Sequence, residues 1–591
     1  MPASADPVRC SAVKAYNRNV KENRGTTSWT LGLMVAILLF TSALVWHDLG
    51  TREVLGRDEN ATITKLDQPD LRAVVVATSM KVTGQPGNMQ PLYFVLQSLF
   101  WPLVGRSAFV LRFLPSVFGL LTVLFTFKLG EALLDARAGL VAAFLTPLLL
   151  VYVRYAQIAR PYTLLALLSL ASAYFLVRAL RDARPLYWVA FVLTAALNFY
   201  NHYNALFVLS SEGLYAGVVW LVTLNRVRRK QVPLRRLRAP ILGFAALALL
   251  CAPGFIRLVG LPWVGSGDGE AEAGVMVELA IPFFRHWIYE SGLTTGWLQG
   301  LTLVLMSLGL AAALYRRRWQ AVVLAVLWVA LPFVVLSLMT QPRPFVERYV
   351  IFAPAMILLF VGEGLVATGQ VLGRWVRSSA TRRLAPAITV VLSIGFALLF
   401  VKPLQTYYAT NRAEDRLDLT VRVVERHARR GDVVVVSPRF LVRPLAADGA
   451  DVLYLTDHLS PAQLDDLATR YERMWILYTS YLPPDELQEP LDRWIQSHED
   501  EFDRVPIKSI NALAFRGLVH ADAQTGLADR IGVLEDLAEH STGKYEAWQR
   551  YGQVAEAYES LSQVYDRLGE ATLAAESLRQ AEKAREAGPP P

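Results

Sequence analysis

The chain has 591 residues, more than one ordinary domain accommodates, so at least two units are expected. Its hydrophobic fraction of 53% is too high for a soluble protein of this size and reflects repeated apolar runs of membrane-spanning length. The net charge of +8 sits mostly in short loops between those runs, so it reports membrane orientation rather than a nucleic-acid partner.

The N-terminal tail, residues 1–27, carries Lys14, Arg18, Lys21 and Arg24, and Trp29 to Trp46 is long and apolar enough to cross a bilayer. The positive-inside tendency keeps this tail cytoplasmic, and the late, long first helix lacks the cleavage site of a signal peptide. The loop over 48–106 then emerges on the far side. It contains VLGRDENATITKLDQPDLR, with the acidic pair Asp58-Glu59 just beyond the hydrocarbon boundary, and NMQPLYFVLQSLFWPLVG, which reads as an interfacial or re-entrant helix.

Ten further runs follow, beginning at Ala108, Ala138, Thr163, Tyr187, Ala205, Pro240, Leu301, Ala321, Val350 and Ala385. Together they predict about eleven crossings in a mainly α polytopic domain spanning 28–403. The loops assigned inside, among them RALRDAR, NRVRRKQVPLRRLR and YRRRW, carry the arginine and lysine excess, whereas GSGDGEAEAG lies outside. An odd number of crossings leaves the C-terminal portion extracytoplasmic. Residues 404–520 alternate helical and apolar strand-like runs (VVVVS, DVLYL, MWILYTS), which predicts a small parallel α/β sheet. Ser460, Pro461 and Gln463 mark a helix start. In 526–587, Tyr558, Leu561, Tyr565, Gly569, Ala574, Leu578 and Ala581 fall at the spacing of one tetratricopeptide-like helix pair. A single pair cannot bury its own faces, which suggests a protein partner or a neighbouring unit.

Charges at a lipid boundary are costly and call for a reason. Asp58 and Glu59 could open a loop helix, where carboxylates suit the dipole, or could supply a general base to a membrane-borne substrate. Arg154, Tyr155, Arg160 and Tyr162 flank one outer turn. They fit either interfacial anchoring or a phosphate clamp, for which the guanidinium fork is suited. His202 stands in NFYNHYN and has no second histidine at metal-ligand spacing. Arg343, Arg348 and Tyr349 in QPRPFVERY repeat the arginine–tyrosine theme, and His286, Tyr289 and Glu290 lie in the long outer loop. Glu212, deep in an apolar run, reads as a buried structural contact. Cys10 and Cys251 are too differently placed for a disulfide and give no metal site. An acid with several cations at one membrane face suits transfer from a phosphate-linked lipid. A carboxylate would deprotonate the acceptor hydroxyl and arginines would stabilise the departing phosphate.

The order of these motifs resembles the C-type glycosyltransferase superfamily, in the branch with protein O-mannosyltransferases and bacterial lipid A aminoarabinose transferases. The Asp-Glu after the first crossing, MQPLYF, LRFLPSVFGLLTV, RYAQIARPY, FYNHYN and ERYVIFAP match its motifs in order, over about Trp29 to Lys402. Gln90 replaces the first proline of Pro-Pro, Met89 stands where many relatives have histidine, and Asn201 replaces a threonine. The resemblance implies an inverting transferase in the cell membrane, using a polyprenyl-phosphate-linked sugar at the outer leaflet. It assigns Asp58 as base with Glu59 beside it, Arg154 and Arg160 as phosphate or sugar contacts, and His202, Arg348 and Tyr349 as cavity-lining residues. It leaves open whether the acceptor is glycan, lipid or protein, and whether a divalent cation takes part. Two rivals remain at this stage: a transporter or flippase for a lipid-linked glycan, and a non-catalytic scaffold acting through its C-terminal units.

Overall fold

The computed structural model describes residues 29–50, 57–66, 68–79, 90–105, 107–259, 296–338, 347–375, 381–410, 426–427, 432–437, 453–455, 460–471, 473–478, 494, 497, 503–507, 510–515, 531–536, 538–539 and 544–588. They form two compact units, one of residues 1–51 and 65–408, the other of 52–64 and 409–591.

The first unit is helical. α1 (Trp29–Trp46) is followed by α2 (Arg57–Leu66), whose last two residues fall here, α3 (Leu71–Ser79), α4 (Leu92–Val104), α5 (Ala108–Leu133) and α6 (Ala136–Leu145). After these come α7 (Leu150–Ala156), α8 (Tyr162–Asp182), α9 (Pro185–Asn201), α10 (Ala205–Arg228) and α11 (Arg235–Val259). α12 (Gly296–Tyr315), α13 (Trp319–Leu338), α14 (Ala353–Trp375), α15 (Thr381–Leu398) and α16 (Val401–Thr410) complete it. α8 is buried almost all round, as Leu165, Ala166, Leu170 and Ala173 show, and is the centre of the bundle. The outer helices leave apolar side chains exposed, Leu31, Leu33 and Leu39 on α1 and Leu249 and Ile256 on α11 among them, as lipid-facing helices do.

Every one of the eleven expected crossings is helical. Among the described residues eight helices are long and apolar enough to span a bilayer, or nine if the bent pair Ala136–Leu148 and Leu150–Ala156 is one span. Part of the difference from eleven has local causes. α9 has only 17 residues, and the α6–α7 run bends by 64° between Leu148 and Leu150. The chain is thus a multi-pass membrane protein whose run over Leu92–Val104 is short, as expected of an interfacial helix.

Where α12 crosses α14, Gly309 and Gly364 face each other's backbone: a Cβ on Gly364 would strike the carbonyl oxygen of Leu305, and one on Gly309 that of Phe360. Small residues permit this approach. At the end of these helices Arg318 Nη2 donates to Asp135 Oδ2 at 3.1 Å. Arg316 bonds the fully buried Glu363 and, at 2.6 Å, Gln370. Asp135 also caps α6 through the backbone N–H groups of Arg137 and Ala138.

The described residues of the second unit carry one five-stranded sheet of β1 (Asp432–Ser437), β2 (Leu453–Leu455), β3 (Arg473–Tyr478), β4 (Asp503–Ile507) and β5 (Ile510–Phe515), in the order β2-β1-β3-β5-β4. The parallel expectation holds for β2-β1-β3 only; β5 pairs antiparallel with both β3 and β4. The β4–β5 pair departs from the parallel expectation because only two residues join the strands, and a connection that short makes a hairpin, not a crossover. α17 (Pro461–Arg470) begins with the expected capping box of Ser460 and Gln463. Buried Asp432 accepts from the Trp475 indole at 2.9 Å, tying β1 to β3. α18 (Lys544–Arg567) and α19 (Ala571–Ala587) form a helix pair, turning at Gly569, whose φ of +79° favours glycine. Leu578 is exposed, however, and the packed stripe of α19 is Ala574, Ser577, Ala581 and Ala584.

Candidate functional site

The turn between α7 and α8 is fixed from several directions, all within the first unit. Gln157 donates its side-chain amide to the carbonyls of Val45 (2.9 Å) and His47 (3.0 Å) and accepts from Tyr407 Oη at 3.2 Å. Asn201 Nδ2 donates to Pro161 O at 3.1 Å, fastening the end of α9 to the same turn. Tyr152 Oη donates to Ile351 O at 2.9 Å, fastening α7 to the segment that carries Arg348. Buried backbone carbonyls need donors, and these side chains supply them while setting the geometry of the turn.

On this frame the aromatic ring of Tyr162 collects the predicted cations. The Arg160 Cζ lies 5.9 Å and the Arg348 Cζ 5.7 Å from its centroid. The imidazole of His202 is 5.6 Å away and the Tyr155 ring 5.0 Å, while Arg154 stands 5.8 Å over Tyr155. Tyr155 and Tyr162 are buried, and Arg160 is only 6% exposed. Cations within about 6 Å of a ring face are attracted by its quadrupole, so the Tyr162 ring holds both guanidinium groups.

His202 is neutral here. Its Nδ1 accepts from the backbone N–H of Asn204 at 3.1 Å, so the proton of the neutral ring sits on Nε2. Burial first, and then the charges of Arg160 and Arg348, push its pKa down to about 4. A neutral imidazole keeps a donor beside the arginines without adding a third charge.

Six predicted residues, Arg154, Tyr155, Arg160, Tyr162, His202 and Arg348, are therefore brought together. The side chains of Asp58 and Tyr349, and Arg343, His286, Tyr289 and Glu290 entirely, lie outside the described residues. Glu59 is 4% exposed, on a buried stripe of α2 with Thr62 and Ile63. Glu212 meets Ser172 of α8, whose Oγ donates to Oε1 at 2.7 Å, a contact between α8 and α10 of the kind expected. Among the described residues no group of three or more His, Cys, Asp or Glu could hold a metal ion.

The sequence places Arg112 in the helix start LRFLPSVFGLLTV but assigns it no site role. It is 5% exposed near the start of α5, with Nη1 donating to Leu49 O at 3.4 Å. A lone arginine in the first turns of an apolar span was the available signal. Gln157 and Asn201 give no such signal, because their role depends on partners 40 to 250 residues distant.

Residues 85–256 match the family model described as dolichyl-phosphate-mannose-protein mannosyltransferase. No curated protein sequence matches the chain at a significant level. Among solved structures the chain is similar to ArnT from Cupriavidus metallidurans in the apo state, with a TM-score of 0.51 and 13% identity over 83% of this chain and 98% of that one. It is also similar to the same protein bound to undecaprenyl phosphate (TM-score 0.49, 13% identity, 84% and 99% covered). The apo oligosaccharyltransferase of Archaeoglobus fulgidus follows, with a TM-score of 0.49 and 12% identity over 91% and 86% of the two chains. At these identities the likeness is one of fold. Together with the family match it bears out the resemblance to the C-type glycosyltransferase superfamily.

Proposed function

We propose that this chain transfers a sugar from a polyprenyl-phosphate-linked donor to an acceptor hydroxyl at the outer face of the cell membrane. The observation that carries this reading is the gathering of Arg160, Arg348 and His202 around Tyr162 at the helix ends of a multi-pass bundle. The matched family, whose description names a dolichyl-phosphate sugar, supports the donor class. In the proposed reaction Asp58 takes the proton of the acceptor hydroxyl, with Glu59 as its neighbour. The acceptor oxygen then bonds to the anomeric carbon as the bond from that carbon to the phosphate oxygen breaks, and its electron pair leaves with the phosphate. The displacement inverts the anomeric centre, and the guanidinium groups of Arg160, Arg348 and Arg154 bear the released charge. The polyprenyl chain would add about 0.8 kcal/mol per buried methylene to donor binding.

In this reading the N-terminus is cytoplasmic and the C-terminal unit extracytoplasmic, with the helix pair α18–α19 recruiting an acceptor or protein partner. The acceptor is a glycan, a lipid or a protein. The test is to reconstitute the full chain with a polyprenyl-phosphate sugar identified by mass spectrometry of the co-purified lipid. The labelled sugar is then followed to acceptor, across the membrane, or nowhere. Asp58→Asn should abolish transfer with membrane insertion intact, and chelation with EDTA shows whether a divalent cation is needed. Full transfer by Asp58→Asn would remove the mechanism, and movement of the intact lipid across the bilayer would favour a flippase.

A further inference from the structure

At the far end of the bundle, the start of α9 and the end of α10 form, with α8 and α11, a shallow cleft open to the surface. Leu180, Trp188, Val219 and Trp220 line it together with Arg226 and Arg236. α10 has 24 residues. At 1.5 Å per residue it holds this cleft and His202 roughly 36 Å apart, at opposite ends of the same helix.

Trp188 is 8% exposed, yet its indole N–H has no hydrogen-bond partner among the described residues. The reason it cannot turn is on α11: a Cβ at Gly243 would come within 2.9 Å of Trp188 Cζ3, so the benzo edge of the ring is wedged against that helix. The pyrrole edge is the one left facing away. Trp220, by contrast, donates its indole N–H to Leu237 O at 3.1 Å. A buried donor without an acceptor is costly, and Trp188 is one of the residues that line the cleft.

The charge around the cleft is of one sign. Arg226 and Arg236 are exposed, as are Arg228, Arg229, Lys230 and Arg238 on the same two helices and their link. The neighbouring carboxylate, Asp182, is already held by Arg178 Nε at 2.6 Å and Arg181 Nε at 3.2 Å. Beside this basic rim the same helices expose Leu186, Leu221, Ile241 and Leu242.

We infer that this cleft binds the headgroup of an anionic phospholipid. Its phosphate oxygens accept from Trp188 Nε1 and face the Arg226 and Arg236 guanidinium groups, and its acyl chains lie along the exposed leucines and isoleucine. A basic pocket between spanning helices, opening to lipid, matches that chemistry. The apolar collar favours a lipid over a soluble phosphate, which would meet only the rim.

The test uses the full chain in nanodiscs of phosphatidylcholine containing a minor fraction of phosphatidylglycerol, with retained lipid counted by native mass spectrometry. Wild type should retain phosphatidylglycerol well above its bulk fraction. Arg226→Ala with Arg236→Ala should reduce that preference by about 25-fold, at roughly fivefold per arginine near the surface. Trp188→Phe keeps the ring against Gly243 and removes only the donor, and should reduce it by roughly tenfold. Wild type retaining both lipids in bulk proportion, or both variants behaving as wild type, overturns the inference. Inorganic pyrophosphate displacing phosphatidylglycerol from wild type without any lipid preference returning would assign the cleft to a soluble phosphate and overturn it too.

Discussion

His202 offers a direct measure of how the Tyr162 cluster is built. Burial and the two arginines hold its pKa at about 4, against an ordinary imidazole near 6.5. The difference is worth roughly 3 kcal/mol between the two protonation states. The unfolded chain therefore binds more protons than the folded one between those values. Folded-state stability from this group is undiminished above pH 6.5, falls as the pH drops through the ordinary histidine range, and levels off below about pH 4. At pH 5 the imidazole should be about nine-tenths neutral, where an ordinary one would be only about 3% neutral. Ethoxycarbonylation by diethyl pyrocarbonate needs the neutral ring, so its rate at His202, followed by peptide mass spectrometry against pH, reads this fraction. Wild type should keep most of its plateau rate at pH 5. Arg348→Gln removes one of the like charges and should move the midpoint upward, though not to 6.5, because burial is the larger cause. A wild-type midpoint at or above pH 6 would refute the arrangement of His202 beside two guanidinium groups.

Tyr162→Phe should keep the arginines in place, since the ring face remains, whereas Tyr162→Leu should weaken donor-lipid binding by about 1–2 kcal/mol in a titration calorimeter. Ser172→Ala leaves the buried Glu212 without its hydroxyl donor and should destabilise the bundle by about 1–3 kcal/mol, with Glu212→Gln milder in the same denaturation assay. Gly364→Val would drive a side chain onto the Leu305 carbonyl and should abolish the yield of monodisperse protein on size exclusion, while Gly300→Ala, with open space around it, should not. Ser460→Ala removes one half of a capping box and should cost the second unit about 1 kcal/mol, read by denaturant unfolding.

The helical bundle was legible because its signal is coarse and repeated. An apolar run of sufficient length has few alternatives, and the loop charges alternate with it. The strands VVVVS and MWILYTS were legible for a similar reason, being continuous and β-branched or aromatic. The strand DRVPI was not, because Pro506 and two charges disguise an edge strand that a hairpin alone justifies. The site divides along the same line. Arg160, Tyr162 and Arg348 stand out because a charge at a lipid boundary needs a partner, and the sequence shows the charge even when it hides the partner.

What no local pattern could show is that Arg160 and Arg348, separated by 188 residues, share one tyrosine ring. Their meeting depends on Tyr152 bonding Ile351, Asn201 bonding Pro161 and Gln157 reaching the end of α1. None of these three is charged, and each acts by saturating a backbone carbonyl. Rigidity at the turn is thus carried by neutral side chains bonded to backbone carbonyls.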